Sequence, residues 1–228
     1  MSELPRFPFH IVEVPGADAL QAWQHYQALW RKEGCSAILL GGDVEDVTAN
    51  HAFHANAREN LDLAARITAA KFFADRAEEE EYDAGEGEWP AAKEGEPALV
   101  RPHELCIHLN LGTRKPLPKV FIAQIPTEKP YEIPAYLGWG GWNACPGPAE
   151  HVAILRHWHA KYGIEIYGIT SDVLECAVAQ PPLSRDECLA LAREQYLYCA
   201  DIVDQGVQTL SALAATLQNS HAWFFWWD

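Results

Sequence analysis

The residues of this 228-residue chain best suited to nucleophilic or metal chemistry are its six cysteines and ten histidines. Cys106 and His108 fall on one side of an alternating segment, and Cys145 lies in a Trp/Gly-rich stretch shortly before His151. Either pair has the residue types of a thiolate–imidazolium couple. Neither spacing marks a third residue that would orient the histidine, and free cysteines more often act as small buried hydrophobes. Metal chemistry is no better marked. On a helix turning about 100° per residue, His151 and His157 point about 120° apart and His157 and His159 about 160° apart. His51 and His54 can share a face, yet no third ligand accompanies them. No C-x-x-C pair occurs, so neither a zinc ribbon nor a thioredoxin-like motif is written here. The expectation is no metal site, no cofactor and no assignable catalytic residue.

Recognition chemistry is marked more clearly. Towards the C-terminus Glu194, Tyr198, Asp201, Gln205 and Gln208 recur at helical spacing, and no Lys or Arg follows Glu194. A merely solvated face would mix cations into that stripe, whereas unmixed carboxylates and amides offer acceptors to a partner. Upstream, Leu137–Pro146 is aromatic yet turn-rich, so its large side chains supply contact area at low entropy cost. Trp139, Trp142, Asn143, Glu194, Tyr198, Asp201 and Gln205 are therefore the candidate binding surface. The competing reading is that Trp139 and Trp142 fill the core.

The elements that must position these residues follow from periodicity. His10–Val14 reads as a strand, Ala19–Glu33 as a helix ended by Gly34, and Ala37–Leu40 as a buried strand, a β-α-β unit. A helix fits Asn56–Ala77. Glu104–Leu111 alternates as a half-buried strand does, Val120–Ile125 is another strand, and Glu150–Tyr162 is a helix ended by Gly163 before a strand over Ile164–Ile169. A strand halted by Pro181-Pro182 precedes a capping box, Ser184-Arg185-Asp186-Glu187, and one long helix or two in line. The aromatic end, Trp223–Trp227, reads as a last strand. A shift of 129 residues lays Gly34 on Gly163 and Asp43-Val44 on Asp172-Val173, an echo that suggests two related halves. The fold class is α/β, mixed α+β, with one central mixed sheet flanked by helices, the echo suggesting two related β-α-β halves.

Charge and composition bound the function. Asp and Glu number 32 against 17 Lys and Arg, a net charge of −15, so phosphate backbones and anionic membranes are poor partners. Between Asp75 and Glu96 ten carboxylates face two cations, with Gly and Pro interleaved, the composition of a solvated linker. The expected organisation is an N-terminal β-α-β-α half over 1–77, an acidic mobile linker over 78–100 and a C-terminal domain over 101–228. No stretch approaches the roughly 18 apolar residues of a membrane span, and the N-terminus lacks the pattern of a signal peptide, so a cytoplasmic protein with reduced thiols is expected.

From Tyr131 onward the text becomes specific. Ile133-Pro134-Ala135-Tyr136, Gly140–Pro146, Ser171-Asp172-Val173-Leu174-Glu175, Ala192–Tyr196, Asp201–Gly206 and the closing Trp226-Trp227-Asp228 closely resemble the bacterial domain of unknown function 4253 family. The resemblance covers about residues 131–228, and Ile38–Asp43 resembles the family's upstream part more loosely. This chain has Ala200 where the resemblance implies a proline, which leaves open whether the long helix breaks there. The resemblance carries no catalytic residue. The function expected is a non-catalytic protein-interaction module of regulatory or immunity type, whose partner is another protein. The alternative is a small-molecule-binding enzyme such as a hydrolase, with a cleft between the Trp/Gly loop and the C-terminal helix.

Overall fold

The computed structural model describes residues 6–45, 47, 56–79, 84–90 and 101–228. Its strands are β1 (Ile11–Val14), β2 (Ser36–Leu39), β3 (Val120–Ile125), β4 (Ile164–Ile169), β5 (Val173–Val178) and β6 (Ala222–Trp226). They form one mixed sheet in the order β1-β3-β2-β4-β5-β6. Strand β3 inserts between β1 and β2 and pairs antiparallel with both, so strands from either side of the acidic segment share a ladder. Only β2 and β4 run parallel, joined where Leu39 faces Gly168.

Helix α1 (Ala19–Trp30) precedes β2, and α5 (Pro148–Tyr162) precedes β4. Gly34 and Gly163 carry the chain from helix to strand in the left-handed region, at φ 76° and 62°. A side chain at either position would strain the backbone, hence glycine. Each helix then covers a different face. Trp23 and Trp30 of α1 pack with Leu39, Ile122 and Tyr167 on one face. Ile154, Leu155 and Trp158 of α5 pack with Ile38, Phe121 and Ile166 on the other. The residues of the 129-residue echo thus become two adjacent parallel strands whose helices lie on opposite faces.

The larger layer adds α4 (Ile133–Leu137), α6 (Arg185–Tyr198) and α7 (Leu210–Leu217). Helices α2 (Ala57–Ala64) and α3 (Ala69–Ala77) pack outside it, against α5 and α6. The single helix expected over 56–77 is two, because the Asn56 and Thr68 side chains each accept a backbone N–H and cap a separate start. The long C-terminal pattern breaks after Tyr198 without a proline, at an extended Cys199 followed by a π-turn over Ile202–Val207. Helices α6 and α7 consequently pack side by side rather than in line.

Two expectations are corrected. Glu104–Leu111 is no strand: it forms turns and a single bridge, Leu109 with Pro116. Its apolar residues drape over the sheet instead, with Ile107 buried in the α1 face. The second concerns the acidic linker, of which residues 84–90 touch α6 and α7 while residues 85–88 stay exposed to solvent. The Gly85 and Glu86 carbonyls accept the Leu210 and Ser211 N–H groups, orphan donors in the first turn of α7. Glu86 pairs with Arg193 at 2.7 Å, and Arg185 lies over the Trp89 ring at 4.8 Å. Residues 80–83 and 91–100 lie outside the described part. Replacing residues 84–90 by a Gly/Ser segment of equal length should lower the melting temperature by several degrees, since it removes the Trp89 ring and the Glu86–Arg193 pair that hold the Gly85 and Glu86 carbonyls against α7. An unchanged midpoint in a thermal scan would show that the docking contributes nothing to stability.

Candidate functional site

A carboxylate inside the sheet organises the most chemically loaded region. Glu175 sits in the otherwise apolar β5 and is fully buried. Burying a carboxylate is expensive unless donors surround it. Here the irregular segment 101–117 supplies them. Cys106 N–H donates to both Glu175 oxygens at 3.0 and 2.9 Å, and Ile107 N–H donates to Oε2 at 3.1 Å. The Cys106 thiol donates to Oε1 at 2.9 Å, and His103 Nε2 lies 3.0 Å from the same oxygen. These amides are the ones a strand over 104–111 would have given to a neighbour, which is the physical reason the strand does not form. Gly168 lets the segment settle, because a Cβ there would stand 2.8 Å from Ile107 Cδ1.

The electrostatics follow. Burial, and then the charge of Glu175, push the Cys106 thiol up to about 12, so it is a proton donor and not a nucleophile near neutrality. His108, expected beside Cys106, turns instead to the Tyr167 hydroxyl at 3.0 Å, and burial lowers its pKa. Among the described residues His103, Cys106 and Glu175 form a set whose ligating atoms lie within 4.8 Å of one another. His51 and His54 lie outside the described residues. Local spacing cannot reveal a trio that spans 70 residues of chain; its one written signal is the acid inside Val173-Leu174-Glu175-Cys176.

Two cavities flank this trio. A cleft of about 620 Å³ has His103, Arg101 and Arg114 on one side and Gln195, Trp223 and Leu217 on the other. Gln195 Nε2 and Trp223 Nε1 are buried without a hydrogen-bond partner. The second cavity, about 480 Å³, opens at the carboxyl ends of the parallel strands, between Leu40–Asp43 after β2 and Thr170–Val173 after β4. Its walls include Ile107, Leu109, Leu117, Val173, Phe224 and Trp226, with Asp43 and Asp172 near the rim. Crevices at the carboxyl ends of parallel strands are where open α/β sheets bind ligands. The Asp172 carboxylate is fixed by Trp226 Nε1 at 3.0 Å and by the Thr170 and Ser171 hydroxyls. Asp43 is exposed. The echoed aspartates, Asp43 and Asp172, therefore meet at one crevice, an advance mark of this site in the sequence.

The residues expected to form a binding surface are brought together, with Trp139 and Tyr198 buried, Trp142, Glu194 and Asp201 half-buried, and Asn143 and Gln205 exposed. Trp139 and Tyr198 both pack on Trp227, at ring distances of 5.6 and 5.3 Å, and are 2% and 0% exposed. Trp142 packs edge-on to Trp139. Asn143 Nδ2 donates to the Asp228 carbonyl and Asp201 accepts the Asp228 N–H, so both hold the end of the chain. Glu194 accepts the Trp158 indole N–H at 2.8 Å, and Gln205, on the surface, donates to Asp201. The polar stripe is not continuous, because α6 ends at Tyr198. The expected cleft walls are instead a packed aromatic contact.

Inside that contact the Cys145–His151 pair does acquire a third member. Cys145 Sγ lies 3.5 Å from His151 Nε2, and Nδ1 is 2.6 Å from the Tyr198 hydroxyl. His151 is wholly buried, and burial lowers its pKa to about 3, while burial raises the Cys145 thiol. Both stay neutral, so the trio is a core hydrogen-bond chain. Tyr198→Phe strands the imidazole, with an expected loss of about 1–3 kcal/mol in urea unfolding. The histidine also sets an acid limit. Below its ordinary pKa the unfolded chain takes up a proton that the folded chain refuses, so stability falls as pH drops from about 6.5 towards 3. The slope from this one group approaches about 1.4 kcal/mol per pH unit. His151→Asn should flatten that part of the stability profile; an equal slope in the variant would assign the acid sensitivity elsewhere.

No curated protein and no solved structure matches the chain. Residues 121–228 match the family model described as Domain of unknown function (DUF4253). The match starts at β3 and carries the sheet from there to β6, with both the aromatic core and Glu175. By that match the C-terminal region of this chain, from Phe121 to Asp228, is similar to the DUF4253 family.

Proposed function

We propose that this protein is a non-catalytic binding module of the bacterial cytoplasm, and that its crevice beyond β2 and β4 takes a small amphipathic cation. The observation that carries the reading is the crevice's composition: apolar walls from the 101–117 segment and β6, with two carboxylates, Asp43 and Asp172, near its rim. A hydrocarbon or aromatic body gains from leaving water against such walls, and a charged head is drawn by the rim and by the −15 charge of the chain. A non-catalytic role fits a Cys106 thiol held protonated beside the crevice. A cytoplasmic setting fits six free cysteines, five of them buried. Among the described residues no helix is long and apolar enough to cross a membrane.

A second reading, a regulatory or immunity-type module that grips another protein, draws on Leu111, which is 64% exposed at the crevice. In that case the occupant is an apolar side chain of the partner. Titration separates the two. Arylalkylamines such as tryptamine should raise the melting temperature in proportion to the logarithm of concentration, and the matched aryl carboxylates should not. Asp43→Asn should weaken the amines about tenfold while leaving the fold intact, since a charge-assisted contact is lost from an exposed site. If no amine shifts the midpoint, or Asp43→Asn binds as tightly as the natural chain, the cation reading fails.

A further inference from the structure

We infer that His103, Cys106 and Glu175 form a site for a divalent transition ion of zinc type, set on the partition between the two cavities. Its ligands come from two elements, and nothing in the family match assigns it. Cys106 lines the crevice and His103 lines the larger cleft. Glu175 is fully buried and lines neither cavity, holding the two residues from beneath through its carboxylate.

The carboxylate is already oriented as a metal ligand's would be. Oε2 is occupied by two backbone N–H groups, from Cys106 and Ile107. Oε1, which also accepts the Cys106 N–H at 3.0 Å, is the atom that meets both the thiol and the imidazole. Outer hydrogen bonds of this kind fix the direction of a first-shell oxygen. The imidazole is braced as well, its ring lying 4.8 Å from that of Phe224.

The spacing suits a small ion. The donor atoms are separated by 3.8 Å (sulfur to nitrogen), 2.9 Å (sulfur to oxygen) and 3.0 Å (nitrogen to oxygen). Tetrahedral zinc with ordinary bond lengths needs separations of about 3.4–3.6 Å, so each must change by about 0.7 Å or less. His103 is a partly exposed side chain, with 28% of its surface open, and can adjust the two nitrogen separations, while the sulfur–oxygen widening falls to rotation of the Cys106 side chain. The set of one thiolate, one imidazole and one carboxylate is of borderline softness, which favours zinc or cobalt over magnesium or calcium. On coordination the thiol gives up its proton to the buffer and the sulfur lone pair forms the metal bond. Three protein ligands leave a fourth position for water or a ligand atom entering from the larger cleft. This inference stands independently of what occupies the crevice.

Cobalt(II) chloride added to the full chain tests it, because a thiolate–cobalt bond gives a charge-transfer absorption that carboxylate and imidazole ligands cannot. The expected result is a band that saturates at one ion per chain and a rise in melting temperature on adding zinc chloride. Cys106→Ser should abolish the band, and His103→Gln should weaken binding at least tenfold. Cys35→Ser, at the one cysteine that is not buried, should change neither. No band in the natural chain overturns the inference, as does a band that survives Cys106→Ser. Should Cys106→Ser not fold, His103→Gln decides, and unchanged affinity in that variant overturns the site. Because the ion alone is the probe, failure here leaves the amine titration untouched, and the reverse also holds.

Discussion

The parallel pairing of β2 with β4 is the constraint on which the rest of this structure depends. Parallel neighbours point their carboxyl ends the same way, so the turns after Leu39 and after Ile169 must emerge side by side. The crevice is the space left between them. Helices α1 and α5, which lead into these two strands, lie on opposite faces and divide the core into an aliphatic and Trp-rich layer on the α1 side and the larger aromatic layer beyond. It also makes Gly168 obligatory in size, because Leu39 O and Ile107 both approach where a Cβ would stand.

A buried charge does the second piece of organising. Glu175 has no water to hydrate it, and its stability in the sheet rests on donors borrowed from the 101–117 segment. Those donors cost that segment its place in a ladder. The exchange covers the α1 face of the sheet with chain that is not strand, and it brings a histidine and a thiol to one carboxylate oxygen. Site and cover are thus products of one interaction, so a change at Glu175 disturbs both cavities together.

The aromatic core shows why polar residues at helical spacing are poor evidence of a surface. Tyr198 counts as polar in a stripe, yet its ring is enclosed by Trp158, Phe225 and Trp227, and its hydroxyl is spent on His151. Glu194 is likewise spent on the indole of Trp158. Both groups look outward in a helical projection and are turned inward by the end of the chain, which lies over α6 and is held there by Asn143 and Asp201. A polar group with a partner inside is architecture, whatever its periodicity.

The sequence by itself determined the local elements: glycines that need positive φ at 34 and 163, a capping box at Ser184, alternating or continuous apolar runs for β1 to β4, and an aromatic last strand. These are decided by backbone sterics and by side chains a few residues apart, so they are written where they act. The echo of Asp43-Val44 in Asp172-Val173 was also legible, and it marked the crevice, though not as a crevice. Only the tertiary structure decided that Glu104–Leu111 would cover a face instead of joining the ladder, that residues 84–90 would cap α7 despite their charge, and that His103, Cys106 and Glu175 would converge. In each case the deciding partner lies tens of residues away, and a buried carboxylate or an orphan N–H group competes for the same backbone atoms that local periodicity had assigned elsewhere.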